Sequence, residues 1–317
     1  ARCLTEVAEF QDWPAMSAMF ARSGARPRPD WELPFAAGQA VEGDPGLIAY
    51  GAAALACLQI SIILADDLLD DDPRGEHLKI GAGRAANLAL GFQGAAAQVL
   101  ARAPVEPAVQ AAAQRCLAQA ALRTALGQDL DAQNLEGEAA YWRVVAHKST
   151  PFYAAALEMG ALLGGAAPEV CAGLHTVGER LGEIIQLNDD VVDAFETPAN
   201  PDWCQGRNNL LILYARTASH PEQAAFGRLQ AEAAQTPAAL AEAQQLLIRC
   251  GAVSYAVYQL VERAAQAQSL LSALPLKAPA ALARQLNPLS PALRTWLTDH
   301  GLPTSGLLVE SRGDNRA

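Results

Sequence analysis

An all-α fold, one large helical bundle, is predicted by three features of this 317-residue chain. Hydrophobic residues make up 51% and charged residues 18%, too apolar for disorder, while aromatics at 6% are too sparse for a typical β-sandwich. Alanine and leucine dominate, in clusters such as Gly51-Ala52-Ala53-Ala54-Leu55-Ala56 and Ala111-Ala112-Ala113, and small unbranched residues favour closely packed helices. Proline and glycine breakers divide the chain into stretches of roughly 15 to 25 residues, near the upper range of globular helices.

In chain order the breakers are Arg26-Pro27-Arg28-Pro29, Gly43-Asp44-Pro45-Gly46, Ala103-Pro104, Gly164-Gly165-Ala166-Ala167-Pro168 and Thr197-Pro198-Ala199-Asn200-Pro201. No long linker or internal repeat separates them, so residues 1–317 read as one domain, with 1–30 and 305–317 peripheral or flexible. The opening Ala1-Arg2-Cys3 lacks the basic region and apolar run of a secretory signal. Leu47 to Ala65 is uncharged and approaches the ~20 residues of a membrane-spanning helix. It carries Gln59 and Ser61 and runs straight into Asp66-Asp67-Leu68-Leu69-Asp70-Asp71-Asp72, a pattern that suits the buried central helix of a bundle. No stable membrane insertion is expected.

Lys and Arg number 23 against 34 Asp and Glu, a net charge of −11 that repels phosphate backbones, so nucleic acid is not an expected partner. The six cysteines form no CxxC pair and no zinc or disulfide framework, which reads as reduced thiols in a cytoplasm.

The strongest chemical signal is a repeated carboxylate pattern. Asp66, Asp67 and Asp70 form DDxxD at the end of the apolar helix, and Asp189, Asp190 and Asp193 form a second copy. Residues i and i+4 share a helix face, so Asp66 with Asp70, and Asp189 with Asp193, each aim two carboxylates in one direction. A lone acidic run reads as a solvated helix end. Two copies, each following a nearly uncharged run, instead suggest facing helices that share cations, because uncompensated carboxylates near an interior are costly. Oxygen-only donors suit Mg²⁺, which takes few carboxylates plus water and substrate phosphate. With Arg74, Lys148 and Arg207 nearby in the sequence, the set has the composition of a diphosphate clamp.

From Pro45 to Ala215 the chain resembles the all-trans polyprenyl diphosphate synthases and their class I terpene-cyclase relatives. Gly127-Gln128-Asp129-Leu130-Asp131 is similar to the family's GQxxD helix and Lys148-Ser149 to its Lys-Thr helix. Gln186-Leu187-Asn188-Asp189-Asp190-Val191-Val192-Asp193 resembles FQIxDDxxD, with Ile185 at the Phe position and Leu187 at the Ile position. Asp202 and Gly206-Arg207-Asn208-Asn209-Leu210 resemble D…GKxTLP, with Arg for Lys. The resemblance implies an isoprenoid-synthase-type bundle with a deep central cavity, a homodimer, and three Mg²⁺ held by Asp66, Asp67, Asp70, Asp189, Asp190 and Asp193. It also implies an allylic prenyl diphosphate bound by Arg74, Gln128, Lys148, Ser149, Gln186 and Arg207, with Ser61 and Ile62 flooring the prenyl pocket. Neither is aromatic, so a C15 to C20 or longer chain is expected.

The departures concern the second substrate. Elongating members bind isopentenyl diphosphate with a GGKRLRP-like segment and an Arg-Arg-Gly; here Arg26-Pro27-Arg28-Pro29-Asp30 lacks Gly-Gly-Lys, and Arg74 is the single Arg after the first cluster. A second diphosphate needs cations of its own, and that half of the site reads as stripped, with Arg26 and Arg28 as the residues that could substitute. The expected function is therefore ionisation of an allylic diphosphate and cyclisation to a terpene. The alternatives are condensation with isopentenyl diphosphate and, in a different class, a non-catalytic partner subunit, against which both intact DDxxD motifs argue.

Overall fold

The computed structural model describes residues 2–204 and 209–299, apart from the Ala292 side chain, and all regular structure among them is helical. After short turns at Arg2–Glu6 and Ala8–Asp12 come α1 (Pro14–Ser23), α2 (Pro29–Ala40), α3 (Pro45–Leu69), α4 (Ala82–Ala101), α5 (Pro107–Ala132), α6 (Glu138–Lys148) and α7 (Thr150–Leu163). There follow α8 (Pro168–Ala194), α9 (Leu210–Thr217), α10 (Gln223–Ala233), α11 (Pro237–Arg249), α12 (Ala252–Ala273) and α13 (Pro291–Asp299). The breakers act at helix starts. Pro14, Pro29, Pro45, Pro107, Pro168, Pro237 and Pro291 each open a helix, where the missing N–H has no intrahelical partner to lose. Asp44 caps α3 by accepting from the Gly46 N–H at 2.8 Å, and Thr236 caps α11 by accepting from Ala239 at 3.2 Å.

The centre of the bundle is α3, α7 and α8, with α2 and α4 packed on α3, α5 on α7, and α12 on α8. The close crossings need glycine. A Cβ on Gly182 of α8 would lie 2.6 Å from the Thr150 Cα of α7, and one on Gly127 of α5 would lie 2.2 Å from the Lys148 backbone nitrogen. Helix α3 is long and apolar enough to cross a membrane, yet 67% of its most apolar window is buried inside the protein, as expected of a core helix.

One apolar cluster joins the N-terminal turns to α2, α3, α4 and α7; another joins the C-terminal half of α8 to α9 through α13. The N-terminal residues differ from the peripheral role expected of 1–30. Leu4, Phe10, Met16 and Met19 are buried, and Phe10 meets Phe20 and Phe92 edge-on at 5.8 and 6.5 Å. Their apolar positions are spread over short helices among polar residues, so no single periodic stretch marks them in the sequence. Residues 305–317 lie outside the described residues.

Candidate active site

The first aspartate cluster closes α3, the second lies in the last turns of α8, and a cavity of about 330 Å³ separates them. Asp66 and Asp70 line it from one side and Asp189, Asp190 and Asp193 from the other, with Arg74 and Lys148 also on the wall. The i, i+4 expectation for Asp66 with Asp70 and for Asp189 with Asp193 is met. Asp67 sits a helical step of about 100° round α3 and faces a second, smaller cavity of about 160 Å³. Burial raises the Asp67 carboxyl above its ordinary value, and the like charges of Asp72 and Asp66 add to the rise.

Lys148 ends α6, where the Gly127 contact brings its backbone against α5. Its ammonium lies 2.6 Å from Asp131 and 3.2 Å from Asp66, joining the GQxxD helix to the first DDxxD. Burial works against the charge, but the attraction of Asp66 and Asp131 outweighs it and the Lys148 pKa is raised. The adjacent Ser149 hydroxyl donates to Gln186 Oε1. Gln186 Nε2 in turn donates to Asp190 Oδ1 at 2.8 Å. Arg74 Nη2 stands 3.2 Å from Asp72, which is the main cause of its raised pKa; Glu196 and Asp193 across the cavity add to it.

In the second cluster burial disfavours the charged form of all three carboxylates. Burial raises Asp189 to about 6, with Asp30 adding to the effect. Asp193 rises to about 7, again through burial first and then repulsion from Asp202, Asp189 and Glu196. Asp190 is fully enclosed and burial lifts it to about 8 against the hydrogen bonds it accepts from Leu210, Gln186 and Tyr141. Asp66 Oδ1 is buried, and the Lys148 ammonium 3.2 Å away is the cation it faces. Among the described residues no three His, Cys, Asp or Glu side chains converge tightly enough to hold a cation by themselves. The donor set suits a hard cation whose remaining positions are filled by water and phosphate oxygens.

Other expected residues sit further away. Gln128 is buried within α5, and Asp131, three residues on, is the one that lines the cavity. Ser61 is buried and Ile62 half-buried in the turn of α3 below Asp66. Arg207 lies outside the described residues. Sequence reasoning assigned no role to Asp131 or Asp202, though both stood inside recognised motifs, and it missed Tyr141, a buried tyrosine in a run with no motif.

Behind α3, the smaller cavity is lined by Arg22 and Ser23 of α1, Arg28 just before α2, Arg74, and the apolar side chains Ile60 and Ile63. Arg22 Nη2 pairs with Glu76 at 3.0 Å. Arg22, Arg28 and Arg74 thus bring three guanidinium groups to this cavity, beside the carboxylates of Asp67 and Glu76. The seven residues Ser23-Gly24-Ala25-Arg26-Pro27-Arg28-Pro29 carry a glycine, two arginines and a proline at the same places as the GGKRLRP pattern, with Ala25 for its Lys.

The family model described as polyprenyl synthetase matches residues 15–247. A short chain isoprenyl diphosphate synthase of Methanothermobacter thermautotrophicus is 28% identical over 260 residues, which covers 76% of this chain and 78% of that one. A geranylgeranyl diphosphate synthase of Methanosarcina mazei is 27% identical over 208 residues, 61% and 63% of the two chains. In fold, the chain is similar to a polyprenyl synthase from Caulobacter crescentus CB15 solved with calcium and isoprenyl diphosphate, at a TM-score of 0.76 and 23% identity over 90% of each chain.

Proposed function

The chain belongs to the polyprenyl synthetase family and is a prenyltransferase, and we propose that it joins an allylic prenyl diphosphate to isopentenyl diphosphate as a trans-polyprenyl diphosphate synthase. The observation that carries this reading is the position of Arg74, which lines both the carboxylate-walled cavity and the smaller one behind α3. Two anionic substrates on either side of one guanidinium suit a condensation. The expected terpene cyclisation rested on a second half without cations, and the guanidinium groups of Arg22, Arg28 and Arg74 round the smaller cavity favour condensation over it.

In this reading the larger cavity takes the allylic diphosphate. Asp66, Asp70, Asp189 and Asp193 would hold magnesium, three ions in the proposed stoichiometry; when bound, it supplies positive charge against the leaving diphosphate oxygen. Lys148 adds a fixed charge on the same wall, held in place by Asp131. The allylic C–O bond breaks with its electron pair staying on diphosphate. The isopentenyl double bond supplies the pair for the new C–C bond, and loss of a proton restores a double bond. Arg22, Arg28 and Arg74 orient the isopentenyl diphosphate, while Ile60 and Ile63 offer an apolar floor to its five carbons. Ser61 and Ile62 bound the growing chain, so Ser61→Phe should shorten the product.

A homodimer is the proposed assembly, supported by Leu90 of α4 and Leu122 and Leu126 of the neighbouring α5, large apolar side chains left exposed. All six cysteines are free thiols, in keeping with a proposed cytoplasmic setting. Incubation with allylic diphosphates of several lengths, with and without isopentenyl diphosphate, tests the activity. Longer linear diphosphates that form only with both substrates are expected; hydrocarbon released from the allylic substrate alone would return the cyclase reading.

A further inference from the structure

The middle carboxylate of the second motif is engaged differently from its neighbours. Asp190 is 2% exposed, and both of its oxygens are taken by protein donors. Oδ1 accepts from Gln186 Nε2 at 2.8 Å; Oδ2 accepts from the Tyr141 hydroxyl at 2.7 Å and from the Leu210 N–H at 2.8 Å. Asp190 lines the cavity and uses three of its roughly four lone-pair sites: one stays open on Oδ1 beside the Gln186 amide, whereas a cation at Oδ2 would have to displace one of two buried donors. Displacement would leave that donor unsatisfied in the interior, the costlier half of breaking a hydrogen bond. Asp189 and Asp193 accept no hydrogen bond among the described residues and open into the cavity.

The Asp190 backbone carbonyl accepts from Asn209 Nδ2 at 2.7 Å, and Asn209 also donates to Asp202 at 2.9 Å. One residue therefore ties α6, α8 and the start of α9 together. Tyr141 is the group that ties α6. It is fully buried, with Trp142 edge-on at 4.9 Å and the Arg263 guanidinium 3.8 Å over the Trp142 ring. A buried tyrosine hydroxyl needs a partner, and Asp190 supplies it. With Asp190 pinned at one azimuth of α8, the step of about 100° per residue leaves Asp189 and Asp193 facing the cavity.

We propose that Asp190 is a positioning residue and not a cation ligand, and that Tyr141 holds it in that role. The proposal rests on the reading of the cavity as a magnesium diphosphate site. Calorimetric titration of inorganic diphosphate in the presence of magnesium reads that site without turnover. Asp189→Asn and Asp193→Asn should weaken binding about tenfold or more, whereas Tyr141→Phe and Asp190→Asn should change it less than ~3-fold while lowering kcat ~10-fold at unchanged KM. The double variant should be no slower than Asp190→Asn alone, because Tyr141 acts through Asp190. Should Asp190→Asn not fold, Tyr141→Phe carries the test. Binding weakened by either variant as much as by Asp189→Asn overturns the proposal. If the wild type binds no magnesium diphosphate, the site reading falls instead, and urea unfolding judges the tie: additive effects of the two substitutions overturn it, coupled effects support it.

Discussion

The Lys148 ammonium lies 2.6 Å from the Asp131 carboxylate, a contact that spans 17 residues of sequence and joins two motifs in one wall of the cavity. Asp131 thereby shares a cation with Asp66, 3.2 Å away on the other side. With Asp131→Asn, Lys148 keeps a hydrogen-bond acceptor but loses one of its two charges and should swing toward Asp66. The expected result is a fall of about tenfold in kcat/KM for the allylic diphosphate, the usual size of a loss behind the groups that touch substrate. Steady-state kinetics at saturating isopentenyl diphosphate check this; an unchanged value would separate Asp131 from the site.

The acidic wall makes stability depend on pH. Asp189 and Asp193 rise from 3.8 to about 6 and about 7, both chiefly by burial. The folded protein then holds protons that the unfolded chain has released, so these groups contribute stability at low pH that is lost as pH rises through about 6 to 7. In the absence of cations, Tm should fall more steeply from about pH 5 to pH 8 in the wild type than in Asp193→Asn. Magnesium with inorganic diphosphate binds the deprotonated carboxylates and should flatten the wild-type slope. Thermal melts across that range decide, and parallel slopes without cations would contradict the account.

Arginines on the two cavities should separate kinetically. Arg28→Ala and Arg22→Ala, which touch only the smaller cavity, should raise KM for isopentenyl diphosphate by roughly tenfold, with little change for the allylic substrate. Arg74→Ala, on both, should affect both substrates. Equal effects of all three variants on the allylic substrate would show that the smaller cavity is not a separate site.

Gly127→Ala should destabilise, since its Cβ would stand 2.2 Å from backbone at Lys148, which cannot rotate away. A cost of about 1–3 kcal/mol is typical of such overpacking. Because the displaced backbone belongs to Lys148, kcat/KM should fall as well. Urea unfolding and kinetics on the same preparation test both halves.

Periodicity alone determined much about this protein. The uncharged run ending in aspartates read as a core helix, the prolines marked helix starts, and the i, i+4 spacing decided that Asp66 shares a face with Asp70 and Asp189 with Asp193. These are properties of one helix, set by 3.6 residues per turn and by backbone groups that sequence neighbours satisfy. Tertiary structure decided the rest. Asp190 carries the same letter as Asp189, yet it turns inward to Tyr141 and Leu210, donors from two other helices. Asp67 faces away from Asp66 into a cavity whose arginines come from α1, the entry to α2 and the turn after α3. Those partners lie far apart in the chain and meet only because the apolar faces of Met19, Ile60 and Leu64 pack together there, and burial of such faces, unlike helical period, depends on every helix at once.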